Sequence, residues 1–500
     1  MPDRLSRHLL AKCAPAMMLG VLVAVPMALG ASAAPGDVAS QVVSFVPGGP
    51  WSQIQGGAAH LGQMRLDPKD QAESASVPRP PAPPYEQVWR FDPPDSAGVS
   101  GPVVQGETVY ALGEKSVYAV DLATGEARWS VPREAGPLTV PVVTASSGGA
   151  SPRLIYTEGV GAKTELVGVN TGSQRQLWTV PLEDDAMADV TLDDGIALVG
   201  NSSGKVFAVD VATGKVSWSV VPTKGRVEVA PAVSDGVVYV AVRSSETGSP
   251  MVVALDEATG TEKWEARLGV PGTVVSGLSV TGSSVLAAVY SPIYSVLDSL
   301  STADGALRWT SGIRSASFLA LVRSYAAVSD GRVYVTDIAG GIYGIDVASG
   351  KRVWDFQMDS TLQLRGSPVV VGGFVVTGFN DGRLAAFYPS SGHLAWQSRT
   401  GDGALKSMAV APGILVAGVA GDQGGLVAFK HSDTPYELSD VVSSTTMEVG
   451  AVVLAYLAAL LLAGGVILGL GRLLNERLRR FASSEDDEAD ETSGDEGEEE

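Results

Sequence analysis

The sequence predicts an all-β protein, an eight-bladed β-propeller, followed by one C-terminal transmembrane helix. Three observations predict it. Eight of the nine tryptophans recur at intervals of 40, 49, 40, 46, 45, 45 and 42 residues. A strand–turn–strand pattern repeats ahead of them. Beyond the last one, Val449 to Leu470 runs for 22 residues without a charge.

The periodic tryptophans are Trp89, Trp129, Trp178, Trp218, Trp264, Trp309, Trp354 and Trp396, with Trp51 standing apart. Residues 117–129 read VYAVDLATGEARW, 206–218 VFAVDVATGKVSW, 252–264 VVALDEATGTEKW and 342–354 IYGIDVASGKRVW. An alternating apolar run ending in Asp is a half-buried strand. Asp121, Asp210, Asp256 and Asp346 then open a tight turn in which the carboxylate accepts amide hydrogen bonds. Gly125, Gly214, Gly260 and Gly350 tolerate the positive φ such a turn needs. The second strand delivers the tryptophan, whose ring docks between neighbouring sheets while its N–H finds an acceptor. Two further strand-like runs precede each unit, as at 100–104 and 108–112, so about 43 residues hold the four strands of one blade. Three units are degenerate. Asn170, Ser301 and Tyr388 take the Asp place ahead of Trp178, Trp309 and Trp396, and the Thr-Gly pair of the first slips out of register.

Seven complete units run from about Ser100 to Trp396. Past Trp396 come three strand-like runs, 407–411, 414–417 and 425–430, while 86–91 with Trp89 is an orphan strand at the start. Pairing the orphan with the last three completes an eighth blade and covers both open sheet edges. Seven blades is the alternative if the first or last unit is irregular.

The two ends carry membrane signals. Arg4, Arg7 and Lys12 precede the apolar stretch from Cys13 to Gly30, and Ala31-Ser32-Ala33 is a small-x-small cleavage site. That is a secretory signal peptide. Val449 to Leu470 is long enough to span a bilayer core as a helix. Arg472, Arg477, Arg479 and Arg480 follow it and place the C-terminus in the cytoplasm. The expected domains are a signal peptide over 1–33, a lead-in and Pro-rich linker over 34–85, and the propeller over 86–430. A juxtamembrane linker over 431–448, the transmembrane helix over 449–471 and a tail over 472–500, basic then acidic, complete the chain. The protein is therefore expected on the cytoplasmic membrane as a single-pass protein, its N-terminal domain extracytoplasmic.

Composition narrows the chemistry. The net charge of −20 includes eleven acids and no base within Glu485 to Glu500. Such a tail repels itself and has almost nothing apolar to bury. The remaining acids are scattered, the reverse of a nucleic-acid footprint. Cys13, the one cysteine, falls in the leader, so the processed chain has no disulfide or thiolate site. His60, His393 and His431 show no metal-ligand spacing. Glu183, Asp184, Asp185, Asp189, Asp193 and Asp194 lack the alternation of a calcium loop and read as a solvated acidic loop.

The recurring AxDxxTGxxxW unit resembles the pyrroloquinoline-quinone (PQQ)-type propeller repeat of quinoprotein dehydrogenases and BamB-like assembly factors. The resemblance covers about residues 86–430. The lead-in from Trp51 through His60 to Gly62 resembles the Trp…Gly…His…Gly segment that precedes such propellers. For the dehydrogenases, it implies PQQ, a calcium-type ion, a catalytic Asp and often a vicinal cysteine pair. The processed chain lacks cysteine, and about 43 residues per blade leave little for cover loops. The expectation is a non-enzymatic, protein-binding or scaffolding module of the cell envelope without a cofactor. Its partner would be an envelope or membrane protein and not nucleic acid. The alternative is a PQQ-dependent dehydrogenase or ligand sensor. A protease added to intact spheroplasts is expected to digest the propeller and leave a small C-terminal fragment protected; a protected propeller would reverse the topology.

Overall fold

Runs rich in Val, Ala and Tyr, bounded by glycine turns, form short antiparallel strands from Tyr85 to His431 among the described residues. The computed structural model describes residues 53–62 and 81–433, apart from 58, 95–97, 147–148, 187, 270–272, 292–293, 314–323, 359–365, 400–402 and 421–423. The signal peptide, Trp51, the 449–471 run and the 472–500 tail lie outside the described residues, as does the 431–448 linker past 433. Among the described residues no helix is long and apolar enough to cross a membrane.

The strands group into eight sheets, each an up-and-down meander, within 103–132, 142–181, 191–220, 225–267, 274–313, 327–357, 369–399 and 404–431. These are blades 1 to 8. In the eighth, Tyr85–Phe91 supplies the outermost strand, pairing antiparallel with Gly425–His431. The chain's first propeller strand thus closes the ring on its last, and eight blades is the count. Tyr85 packs edge-on against Trp396 of blade 7 and Phe91 against Tyr118 of blade 1, with ring centroids 5.2 and 5.4 Å apart. The joint is hydrophobic on both sides as well as hydrogen-bonded.

Within a blade the two middle strands are buried on both faces, as in Thr108–Leu112 and Val206–Asp210, so they read as continuous apolar runs. Outer strands are exposed at most positions, and in Val216–Val220 only Trp218 is buried. Meander order puts the loops joining first to second and third to fourth strands on one face of the ring. Loops joining second to third strands, and one blade to the next, lie on the other. We call these the turn face and the loop face.

Register explains the small residue two places before the Asp. Each tryptophan stands across the ladder from Ala, Gly or Ser: Trp129 opposite Ala119, Trp178 opposite Gly168, Trp218 opposite Ala208, and Trp309 opposite Ser299. A β-bulge follows at each of these places, re-aiming the indole toward the next blade. At Gly168 and Gly344 even a Cβ would collide with Trp178 and Trp354.

The indole then reaches the next blade's turn. Nε1 of Trp89, Trp178, Trp218, Trp264, Trp309 and Trp354 donates to the carbonyl just past the turn's first residue, at Leu122, Val211, Glu257, Thr302, Val347 and Pro389. Those bonds are 2.7–3.1 Å long. The turn glycine faces the same ring: a Cβ on Gly260, at φ +71°, would lie 2.7 Å from Trp218. Two separate requirements therefore fix glycine there. Trp218→Ala is expected to lower stability by about 3–5 kcal/mol. Gly260→Ala should cost about 1–2 kcal/mol from its left-handed backbone alone, and more from the collision. The double variant should cost less than the sum, because removing the ring relieves the collision. Strict additivity in thermal or denaturant unfolding would separate the glycine from the tryptophan.

Candidate functional site

The turn residues singled out by sequence sit on the turn face and hold local structure. Asp121, Asp210, Asp256 and Asp346 each accept from the amide and hydroxyl of the residue three ahead, Thr124, Thr213, Thr259 or Ser349. Arg128 and the turn donors hold the Asp121 carboxyl down near 2. Hydroxyl donors lower Asp210 and Asp346 as well, while Lys263 is the main cause for Asp256. Gly125, Gly214, Gly260 and Gly350 all have φ between +68° and +76°. In blade 2, Asn170 accepts the same bonds, and Gln174 adopts the left-handed turn position at φ 59°. Trp129 is partly buried, as are Trp178 and Trp309, which sit against the glycines of ordinary turns.

The polar constellation of the molecule lies elsewhere, on the ring axis. First strands are sheet edges whose amides point at the axis, where a buried edge needs partners. The lead-in supplies them. Gln53 exchanges two hydrogen bonds with the Leu192 backbone of blade 3, at 2.7 and 2.8 Å. Val280 of blade 5, Val328 of blade 6 and Val370 of blade 7 donate their amides to Ala59, Leu61 and Gly62, at 2.9, 2.7 and 2.8 Å. Residues 53–62 thus form a plug tying four blades together across the axis. The plug takes strained backbone to do so: Gln55 and His60 hold φ of 54° and 53°.

His60 is fully buried. Its Nδ1 lies 3.1 Å from the Leu278 carbonyl, which can only accept, so Nδ1 carries the proton. Nε2 lies 3.3 Å from Thr191 Oγ1. Burial lowers its pKa to about 4, against a smaller upward pull from Leu278. The Tyr325 ring stands edge-on to it at 5.2 Å, and the Tyr325 hydroxyl accepts from the Ala230 amide at 3.2 Å. Asp189 accepts from Val140 N–H at 2.6 Å, and desolvation pushes its carboxyl up to about 6. Its charge in turn raises Tyr325 further, beyond the effect of burial.

The solvated acidic loop expected over Glu183–Asp194 needs correcting. Glu183 is exposed and paired with Lys205 at 2.8 Å, and Asp185 accepts from Gly161. Asp189 is half-buried and turned inward to the Val140 amide, because a segment joining one blade's outer strand to the next blade's first strand must run from rim to axis. Asp193 meets Glu257 across blades 3 and 4, where desolvation and then mutual repulsion push Glu257 to about 7. The three histidines are dispersed, with His393 and His431 exposed far from the axis. Sequence reading missed Asp189 and Tyr325 as axial groups. The signal was their place just ahead of a first strand.

Among the described residues no three His, Cys, Asp or Glu side chains converge to hold a metal ion. The quinone implied by the resemblance bears three carboxylates. At the axis it would meet Asp189, already disfavoured as an anion, and a plug that occupies the centre. The residues present do not fit that group.

The family described as outer membrane protein assembly factor BamB matches residues 84–159, 162–318 and 250–429. The chain belongs to that family. It is similar to the polyvinylalcohol dehydrogenase of Sphingopyxis sp. (strain 113P3), 23% identical over 491 residues, spanning 76% of this chain and 72% of that protein. It is also similar to the outer membrane protein assembly factor BamB of Moranella endobia (strain PCIT), 26% identical over 290 residues, spanning 52% and 72%. The solved structure of BamB from Moraxella catarrhalis superposes with a TM-score of 0.54 at 18% identity, covering 69% of this chain and 99% of that one. At that identity the superposition speaks for the fold.

The axial groups predict opposite acid responses. His60, lowered from 6.5 to about 4, makes folding less favourable as pH falls through that window, because only the unfolded chain takes the proton. Asp189, raised from 3.8 to about 6, makes folding more favourable as pH falls from 6, because the folded chain takes the proton first. Relative to the parent, His60→Gln should gain stability and Asp189→Asn should lose it between pH 6.5 and 4, in urea melts. Variants that track the parent at every pH would remove both groups from the buried axis.

Proposed function

We propose that this BamB-family chain is a protein-binding module of the cell envelope. A 449–471 helix holds it on the outer side of the cytoplasmic membrane, and it works without a quinone cofactor. The observation that carries this reading is the plug. Residues 53–62 fill the axis and satisfy first-strand amides of blades 5, 6 and 7, leaving the faces of the ring for recognition. The strain at Gln55 and His60 supports a fixed structural role, since such backbone persists only where many contacts over-determine it.

The loop face is the better recognition surface. Leu138 and Val160, 42% and 65% exposed, stand on adjoining loops of blade 2, where Gly159 donates to Ala135. Exposed aliphatic side chains brought together on neighbouring loops are a feature of docking sites. Turn-face residues are instead committed to the blade-to-blade joints described above.

The dehydrogenase relatives favour the competing reading, and one experiment separates the two. The full chain, purified in detergent, is incubated with PQQ and calcium and then freed of excess. The module reading expects no retained quinone absorbance and no dye reduction with alcohols, sugars or polyvinyl alcohol. One quinone retained per chain, with turnover, would sink it.

A further inference from the structure

We propose that the loop face carries a second, separate site, a cleft between blades 3 and 4 that binds the dianionic phosphoryl group of a phosphate monoester. The cleft has a volume of about 610 Å³ and is lined by Lys224, Arg226 and Arg243 together with Ser202, Ser203, Ser244 and Ser245. That volume lies in the range of small-molecule sites.

The charge arrangement is costly unless something answers it. Arg226 stands directly opposite Arg243 in the ladder between Gly225–Val227 and Val237–Ser244, and like charges at such positions repel. Acids outnumber bases in this chain by 55 to 35, yet no acid lines the cleft. Glu228 answers Arg243 from behind, at 2.9 Å. Lys224 and Arg226 form no ion pair among the described residues. The three lining cations against Glu228, the acid paired with one of them, leave a charge of +2 on the cleft wall, which matches a phosphate monoester near neutral pH, while Glu246 on the rim loop does not line the cleft. A carboxylate or a phosphodiester would leave one cation unanswered. Arginine forks also supply donors suited to a tetrahedral group of oxygens, while the Ser203 and Ser245 hydroxyls are already given to Asn201 and to the Lys224 carbonyl.

The cleft is built and not merely a gap between side chains. Blade 4 is the blade whose first strand is split, into Gly225–Val227 and Ala232–Ser234, and the first piece forms one wall. Three glycines let backbones meet around it. Gly204, at φ +87°, would bring a Cβ within 2.6 Å of the Thr223 carbonyl. Gly225 would collide with the Arg243 carbonyl, and Gly200 with Val227. Ser245 closes the rim, its amide and hydroxyl donating to the Lys224 carbonyl at 2.9 and 3.1 Å.

Titration calorimetry of the full chain in detergent tests this, with inorganic phosphate, glycerol 1-phosphate, dimethyl phosphate and acetate as probes in chloride buffer. Saturable binding of the first two is expected, with dimethyl phosphate and acetate at least tenfold weaker. Lys224→Gln combined with Arg226→Gln should weaken phosphate binding at least tenfold with a melting temperature no lower than the parent's, since both side chains are exposed and the change relieves the repulsion between Arg226 and Arg243. Lys115→Gln, on a loop of blade 1, should leave binding unchanged. No saturable heat, equal binding of acetate, or full binding by the double variant would overturn the proposal. None of these outcomes bears on the quinone test.

Discussion

The seating of each indole on the following blade is the contact on which the ring depends. A four-stranded sheet with two apolar faces cannot stand in water alone, so every blade needs a neighbour on each side. The tryptophan makes that neighbour relation specific. Its ring fits because Ala, Gly or Ser lies opposite in its own blade and, for six of the eight, glycine lies in the next blade's turn, while Trp396 meets Tyr85 instead. Its N–H then finds a backbone carbonyl that a shifted blade would not offer. Closure follows the same rule: Trp89 reaches blade 1 from a strand that belongs, in sequence, before it.

Most of the fold was legible in the sequence because this contact repeats. Strand, turn and tryptophan recur at one period, and the missing strand at one end matched the orphan at the other. The degenerate units show where reading by motif loses force. Asn170 can replace Asp because its carbonyl oxygen accepts the same amide bonds. Gln174 replaces glycine only by taking the left-handed backbone itself. The motif blurs there, but the indole period survives.

The axial groups were far less legible. Residues 53–62 precede the repeats and share none of their pattern, so nothing local says that they enter the ring. Asp189 was hidden among five neighbouring acids, and only the course of the chain from rim to axis separates it from them. The pair Arg226 and Arg243 was equally hidden. Seventeen residues part them in sequence, and they become neighbours only through the register of an extra strand segment.

Ring size supplies the reason for a plug. In a narrow barrel, side chains from the walls meet at the centre and fill it, whereas wider closures leave a channel. Here several first strands are very short, two residues at Val142–Val143 and three at Val103–Gln105, so they bring few side chains inward. The remaining space must hold water, a ligand or chain. Water would satisfy the axial amides but would leave Leu278, Val280 and Ala327, all nearly inaccessible, facing it. A segment with backbone carbonyls at Ala59, Leu61 and Gly62 answers the amides and covers the apolar groups at once. Histidine suits the centre because its Nδ1–H answers the Leu278 carbonyl without a charge at neutral pH. The same histidine can do this only because the lead-in brings it through the ring, so the chain ahead of the repeats is as much a part of the closed structure as the blades are.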